Sequence, residues 1–302
     1  MKDWDAINGV NRMQAYIISH LDEEITLQEL ADAAGYSMWH AARIFKELLN
    51  QTPFEYIRCA RLTQAARCLR DTDEKILNVA LDHGFESHDG FTRSFVRQFH
   101  MTPRVYRTET PAIAYFTYYP IRNYYLCTRE SEEDKMEEKQ LSSIVTVTAV
   151  KRPARQIILQ RSADAKDYFS YCEEKGCDWE GILNSVAEKM DSAALMTLPQ
   201  KLVREGTSAI AAGIEVPETY SKKLPEGYEM IFFPPCEMLY FQGQPFENEE
   251  DFPQALEIVM QAIRNYRPEQ WGYQLDLSLA PCFNFGASAE KGAKMALPVR
   301  PL

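Results

Sequence analysis

The side chains best placed to do chemistry lie on two short segments of the first half. In SHDGFTRSFVRQF, residues 87–99, Phe91, Phe95 and Phe99 recur every fourth position, which puts three rings on one helix face. The other face carries His88, Asp89, Thr92, Arg93 and Arg97. In SMWHAARIFKELL, residues 37–49, Ile44, Phe45 and Leu48 face inward, and Trp39, His40, Ala42, Arg43 and Lys46 are left outside. Guanidinium, imidazole and hydroxyl groups gathered near a helix start are what a DNA-reading helix needs to meet base edges. Any amphipathic surface helix shows the same split, so taken alone the pattern fits a solvated face equally well. An exposed tryptophan favours a partner over water, unless Trp39 lies half-buried against the preceding turn.

Local signals place both segments. Asn8 to Leu21 reads as a helix with Val10, Met13, Ile17 and Leu21 on one side. Thr26 and Glu29 are spaced as a capping box, Leu27, Leu30, Ala31 and Ala34 supply a buried side, and Gly35 breaks the helix before Ser37 opens the next. The same order returns with Ile76, Val79 and Ala80, then Gly84, then Ser87. Between the two lies TPFEYIRCARLTQAARCLRDT, where Pro53 suits a helix start and Phe54, Ile57, Leu62, Ala65 and Leu69 suit a continuous buried stripe. A helix from Phe54 to Leu69 is roughly 24 Å long. With helix thickness added at each end, it can hold two reading helices about one DNA turn, roughly 34 Å, apart.

Composition narrows the classes. The chain has 302 residues, enough for two ordinary domains. With no apolar run of signal-peptide or membrane-span length, a cytoplasmic protein is expected. Seven cysteines, at 59, 68, 127, 172, 177, 236 and 282, are odd in number and scattered, fitting reduced thiols better than a disulfide framework or zinc site. No metal and no cofactor is expected. All five histidines (20, 40, 83, 88 and 100) lie in the first half, which leaves the second without an imidazole base, and no nucleophile elbow or phosphate loop is present. The net charge is −11; residues 1–110 carry 13 basic and 16 acidic side chains, −3, and the remainder 20 and 28, −8. DNA contact must therefore come from a local patch and not from a whole-domain field.

Taken in order, ITLQELADAAGYS, FTRSF and TPRVYR over about residues 8–107 resemble the double helix-turn-helix domain of AraC-type transcription regulators. The resemblance implies base contacts at Trp39, Ala42 and Arg43, with Arg43 forking to guanine O6 and N7. Ala42 stands where close relatives carry a polar residue. In the second unit the matching positions are His88, Asp89, Thr92 and Arg93. Asp89 accepts only from a cytosine amino group and repels phosphate, and Gly90 offers no side chain, so the second unit as a whole is expected to serve phosphate anchoring and spacing more than readout.

Past Arg107 come an aromatic run, Tyr115 to Tyr125, expected to pack back on the first half or at the junction, and an acidic run at 130–140 that reads as solvated linker or exposed helix. The expected division is 1–110, a junction at 111–143, and 144–302. From Ile144 the pattern turns to strands: SIVTVTAV, RQIILQ, GTSAIAAGIEV, YEMIFFP, EMLYFQG, YQLDLSLA, CFNFG and AKMALPV, with helices near 164–174, 179–190 and 250–266. Strand, helix and two strands appear twice, which predicts a duplicated α+β domain of two sheets meeting at a cleft. The fold class is thus an all-α double helix-turn-helix domain followed by an α+β duplicated strand-helix-strand-strand domain.

This half resembles, more loosely, the GyrI-like effector-binding domain also found behind the AraC-type domain in Rob-like regulators. The resemblance implies an aromatic cleft, with candidate lining residues Tyr168, Tyr171, Trp179, Tyr240, Trp271, Tyr273, Phe283 and Phe285; each is alternatively plain core. It also implies an acid for a cationic ligand, and here that place falls on Asn284, which hydrogen-bonds but does not neutralise. Glu215 or Asp276 are possible substitutes. The expected function is a sequence-specific transcription regulator, not an enzyme. Its expected partners are double-stranded DNA, RNA polymerase (from the resemblance alone) and a small hydrophobic or aromatic effector. A ligand-sequestering or protein-inhibiting module, or a hydrolase in the second half, is the alternative.

Overall fold

The computed structural model describes residues 3–127 and 141–302, so the acidic run at 130–140 lies outside the described residues. Two compact units divide near residue 131.

The first unit is helical: α1 (Trp4–Ser19), α2 (Leu27–Ala34), α3 (Met38–Leu49), α4 (Pro53–Asp71), α5 (Ile76–Asp82), α6 (His88–Phe99), α7 (Pro103–Glu109) and α8 (Ile121–Cys127). α1 starts four residues earlier than its apolar spacing suggests, because the Asp3 carboxylate accepts from the amides of Asp5 at 3.1 Å and Ala6 at 3.2 Å. Thr26 and Thr52 make reciprocal capping boxes with Glu29 and Glu55, and Gly35 and Gly84 leave their helices at φ 74° and 76°. Landmarks of α3 return 50 residues later: Ser37 and Ser87 cap, Phe45 and Phe95 are buried, Asn50 and His100 turn left-handed, and Thr52-Pro53 and Thr102-Pro103 open the following helices. The two helix-turn-helix motifs of this first unit repeat one structure.

α4 serves both. The sequence suggests one continuous buried stripe, and the structure replaces it with two. Tyr56, Ile57 and Ala60 enter the core built on α1 and α2, whereas Leu62, Ala65, Ala66 and Leu69 enter the core built on α5 and α6. At about 100° per residue these sets point to nearly opposite sides of the helix. Phe54 falls between them and is 49% exposed. Arg61, between the two sets, donates to the carbonyls of Leu21 (2.9 Å) and Glu23, and a side chain at Gly84 would meet its Nη1 at 2.7 Å.

The aromatic segment after α7 belongs to this unit. Phe116 N–H donates to Thr63 Oγ1 at 2.8 Å, and Ile121 N–H to Gln14 Oε1 at 2.8 Å. Gln14 Nε2 donates in turn to Tyr56 OH and the Tyr119 carbonyl, both at 3.0 Å. Gln14 is 1% exposed, so its three bonds satisfy an amide that would otherwise be costly to bury. Tyr106 and Tyr115 share a buried hydroxyl–hydroxyl bond of 2.8 Å.

The second unit holds β1 (Val145–Arg152), β2 (Arg155–Arg161), α9 (Tyr168–Lys175), α10 (Trp179–Asn184), β3 (Ala194–Thr197), β4 (Ile210–Pro217), β5 (Glu229–Phe233), β6 (Cys236–Gly243), α11 (Phe252–Asn265), β7 (Tyr273–Leu275), β8 (Cys282–Ser288) and β9 (Gly292–Pro301). One antiparallel sheet runs β1-β6-β9-β8-β3-β4-β2-β5, with β7 beside β9, in place of the two sheets expected. The halves join where β3 pairs β8, Met196 opposite Phe283. They join again through β1–β2 and β5–β6: Arg152 lies opposite Cys236 and Arg155 opposite Phe233, so one register continues across both proline-bearing bends. The pairing therefore returns on itself. α11 covers the face bearing Leu239, Phe241, Ala293 and Met295; Met238, Tyr240, Phe283 and Ala296 point to the other.

Candidate nucleic-acid interface and ligand face

α3 and α6 each bury an aromatic stripe and present a polar front. Phe91, Phe95 and Phe99 are 4% exposed or less, with centroids 5.5 and 4.7 Å apart along the helix. Trp39 is 74% exposed, so it is not tucked against the turn. Arg43 lies with Cζ 5.5 Å from the Trp39 ring, and its Nη1 meets Glu47 at 2.8 Å. Lys46 is exposed; His40 and Ala42 are half-buried, and the His40 ring lies 4.6 Å from that of Tyr36. On α6, His88, Asp89, Arg93 and Arg97 are exposed, and Thr92 is half-buried with its hydroxyl oxygen enclosed. The 50-residue repeat sets Arg43 against Arg93, Ala42 against Thr92 and Trp39 against Asp89. One of these helices thus offers an indole where the other offers a carboxylate, with an arginine common to both.

Tyr240, Phe283 and Phe285 form a ladder in the second unit: Phe283 and Phe285 stack at 5.7 Å and 9°, and Tyr240 and Phe285 at 6.1 Å and 21°. The other sequence candidates lie elsewhere. Tyr168 and Tyr171 pack on Trp179, at 6.2 and 5.8 Å, beside α9 and α10. Tyr273 packs with the α11 core, and Trp271 is 68% exposed. Asn284 alternates with Phe283 and Phe285 and so points to the opposite face of β8; its Oδ1 accepts from Gly286 N–H at 2.9 Å beside a register shift. Asp276 is spent on a turn, accepting from Ser278 N–H at 3.1 Å and from its hydroxyl at 2.6 Å.

Glu215 is not an open acid. It is 2% exposed, ion-paired with the fully buried Arg155 and with Arg152 Nε at 3.1 Å. Arg152 also reaches Asp191 at 3.3 Å and the Tyr240 hydroxyl, and Lys294 Nζ reaches Asp191 at 2.7 Å. Burial opposes the charge on Arg152, but Glu215, Tyr240 and Asp191 outweigh it and its pKa rises. Sequence reasoning missed Arg152, Arg155, Asp191 and Lys294. Arg152, Arg155 and Lys294 signalled themselves only as charge in or beside strand-like runs, and Asp191, in the loop before β3, not at all.

Among the described residues no group of three or more His, Cys, Asp or Glu could hold a metal, and no helix is long and apolar enough to cross a membrane. Two repeated helix-turn-helix units on a shared helix, each with an arginine-bearing second helix facing solvent, define a DNA-binding class of protein. A helix-turn-helix domain family matches residues 30–109. Transcriptional regulator Rob of Salmonella typhimurium is 39% identical over 118 residues, which is 39% of this chain and 41% of that protein. Regulatory protein SoxS of Escherichia coli is 41% identical over 93 residues, 31% of this chain and 87% of SoxS. A solved AraC-type regulator from Chromobacterium violaceum shares 26% identity, covering 33% of this chain and 90% of that one, with a TM-score of 0.32. The chain belongs to the AraC-type family of transcription regulators.

Proposed function

We propose that the chain is a sequence-specific DNA-binding transcription regulator whose second unit takes a small molecule. The observation that carries the first part is the 50-residue repeat, which gives both Ser-capped helices the same fold, the same outward arginine and a common support in α4. The helix-turn-helix match over residues 30–109 and the Rob and SoxS likenesses, which cover 39% and 31% of this chain, support the same reading. The proposed arrangement sets α3 and α6 in successive major grooves, with Arg43 reading guanine and α6 serving phosphate contact and spacing. Contact with RNA polymerase, and a GyrI-like identity for residues 144–302, are further parts of the proposal. The duplicated strand-helix-strand-strand order and the aromatic ladder support the latter. Footprinting the full chain on a duplex selected from a randomised pool tests it. Two protected patches about one turn, 10–10.5 base pairs, apart on one face are expected. Protection confined to one groove refutes the arrangement.

A further inference from the structure

The aromatic ladder is already occupied by cations of the chain itself. Lys294 Nζ stands 4.4 Å from the Phe285 centroid and 5.2 Å from that of Tyr240, and Arg152 Cζ stands 5.2 Å from Tyr240. These are the distances at which a ring face holds a positive charge. A lipophilic cation entering here finds those faces taken. Among the described residues it also finds no unpaired acid there, because Asp191 is held by Lys294 and Arg152, and Glu215 by Arg152 and Arg155. The cluster counts three cations, Arg152, Arg155 and Lys294, against two carboxylates. One positive charge is left over beside a stacked aromatic surface. Solvent access is graded: Arg155 and Glu215 are enclosed, whereas the side chains of Lys294 and Asp191 are 29% and 18% exposed. Lys294 can therefore exchange Asp191 for an incoming anion without uncovering the buried pair.

We infer that this face takes an organic anion, a carboxylate on a flat apolar body: Lys294 turns from Phe285 and Asp191 to the carboxylate, and the half-buried Phe285 ring it leaves receives the apolar body. The inference rests on the reading of the second unit as ligand-binding, and specifies the ligand's charge. The test titrates the full chain with three probes of one shape: 2-naphthoate, neutral 2-naphthylmethanol and cationic 2-naphthylmethylammonium. Naphthoate is expected to bind at least about tenfold more tightly than the ammonium. Lys294→Gln should abolish that preference, and Asp191→Asn, which releases Lys294 and Arg152, should strengthen naphthoate binding by roughly three- to tenfold. The two substitutions break the same ion pair, so loss of structure alone moves both in one direction, and opposite movement identifies the charge effect. Equal or tighter binding of the ammonium, lost in Phe285→Ala, overturns the anion assignment and leaves a ligand-binding unit standing. No binding of any probe at millimolar concentration overturns both.

Discussion

Removing the carboxylate of Glu47 should tighten specific DNA binding, while removing its partner Arg43 should weaken it. In the free protein Arg43 Nη1 donates to both Glu47 oxygens, at 2.8 and 3.1 Å, and this contact must open before the guanidinium can fork onto a guanine. Both side chains are well exposed, 41% and 57%, so an i,i+4 pair of this kind is worth only about 0.3–0.5 kcal/mol. Glu47→Ala removes that cost and should tighten the preferred site by about twofold. Arg43→Ala removes a bidentate base contact worth about 1–3 kcal/mol, a loss of roughly 5- to 150-fold on the preferred site. On random duplex it should lose much less, because a bidentate guanine contact discriminates bases and a phosphate contact does not. Fluorescence anisotropy with labelled preferred and random duplexes, at one fixed salt concentration, reads all four values. Weakening by Glu47→Ala, or equal loss on both duplexes in Arg43→Ala, refutes the account of α3.

Three other outcomes follow from the packing. Gln14→Leu strands Tyr56, the Tyr119 carbonyl and the Ile121 amide around a buried site, and should cost the first unit about 2–4 kcal/mol in urea unfolding. Glu215→Gln leaves the fully buried Arg155 without its charge partner. It should cost about 3–5 kcal/mol, softened by the Pro234 carbonyl that Arg155 already meets at 3.1 Å. Burial opposes ionisation of Glu174, yet the Ser162 hydroxyl, Lys175 and the amides of Ala163 and Asp164 hold its pKa down, from 4.5 to about 2. Because the folded value is the lower one, this stabilisation is present above pH 4.5 and is lost as pH falls toward 2. Glu174→Gln should flatten that window in an acid unfolding curve; an unchanged slope counts against the Glu174 contacts.

What the chain's letters revealed were contacts made within a few residues. Thr26, Ser37, Thr52 and Ser87 cap as their spacing implies, and Phe91, Phe95 and Phe99 share a stripe because every fourth residue must. α4 was harder to read because it changes its buried side halfway, and a periodicity that shifts phase looks like one broad stripe. β3 has four residues, ALMT, too few for alternation to show, yet it joins the two halves of the sheet. Alternation tells which residues share a face, but not which face: hence Asn284 and Tyr273 proved to lie away from the aromatic ladder. The partners of Glu215 stand on the end of β1 and the start of β2, 60 or so residues away, and no local signal marks such pairs.

A rod that is gripped on one side along its first half and on the opposite side along its second resists twisting and stretching between the grips. On the proposed arrangement, the separation it sets between α3 and α6 works like a fixed gauge on DNA. A target with one base pair added between its two boxes turns the second box by about 35° and moves it about 3.4 Å along the axis. Only bending or untwisting of the duplex can compensate, and that energy depends on the intervening sequence. Bases that no side chain touches would thereby become part of what such an arrangement tells apart.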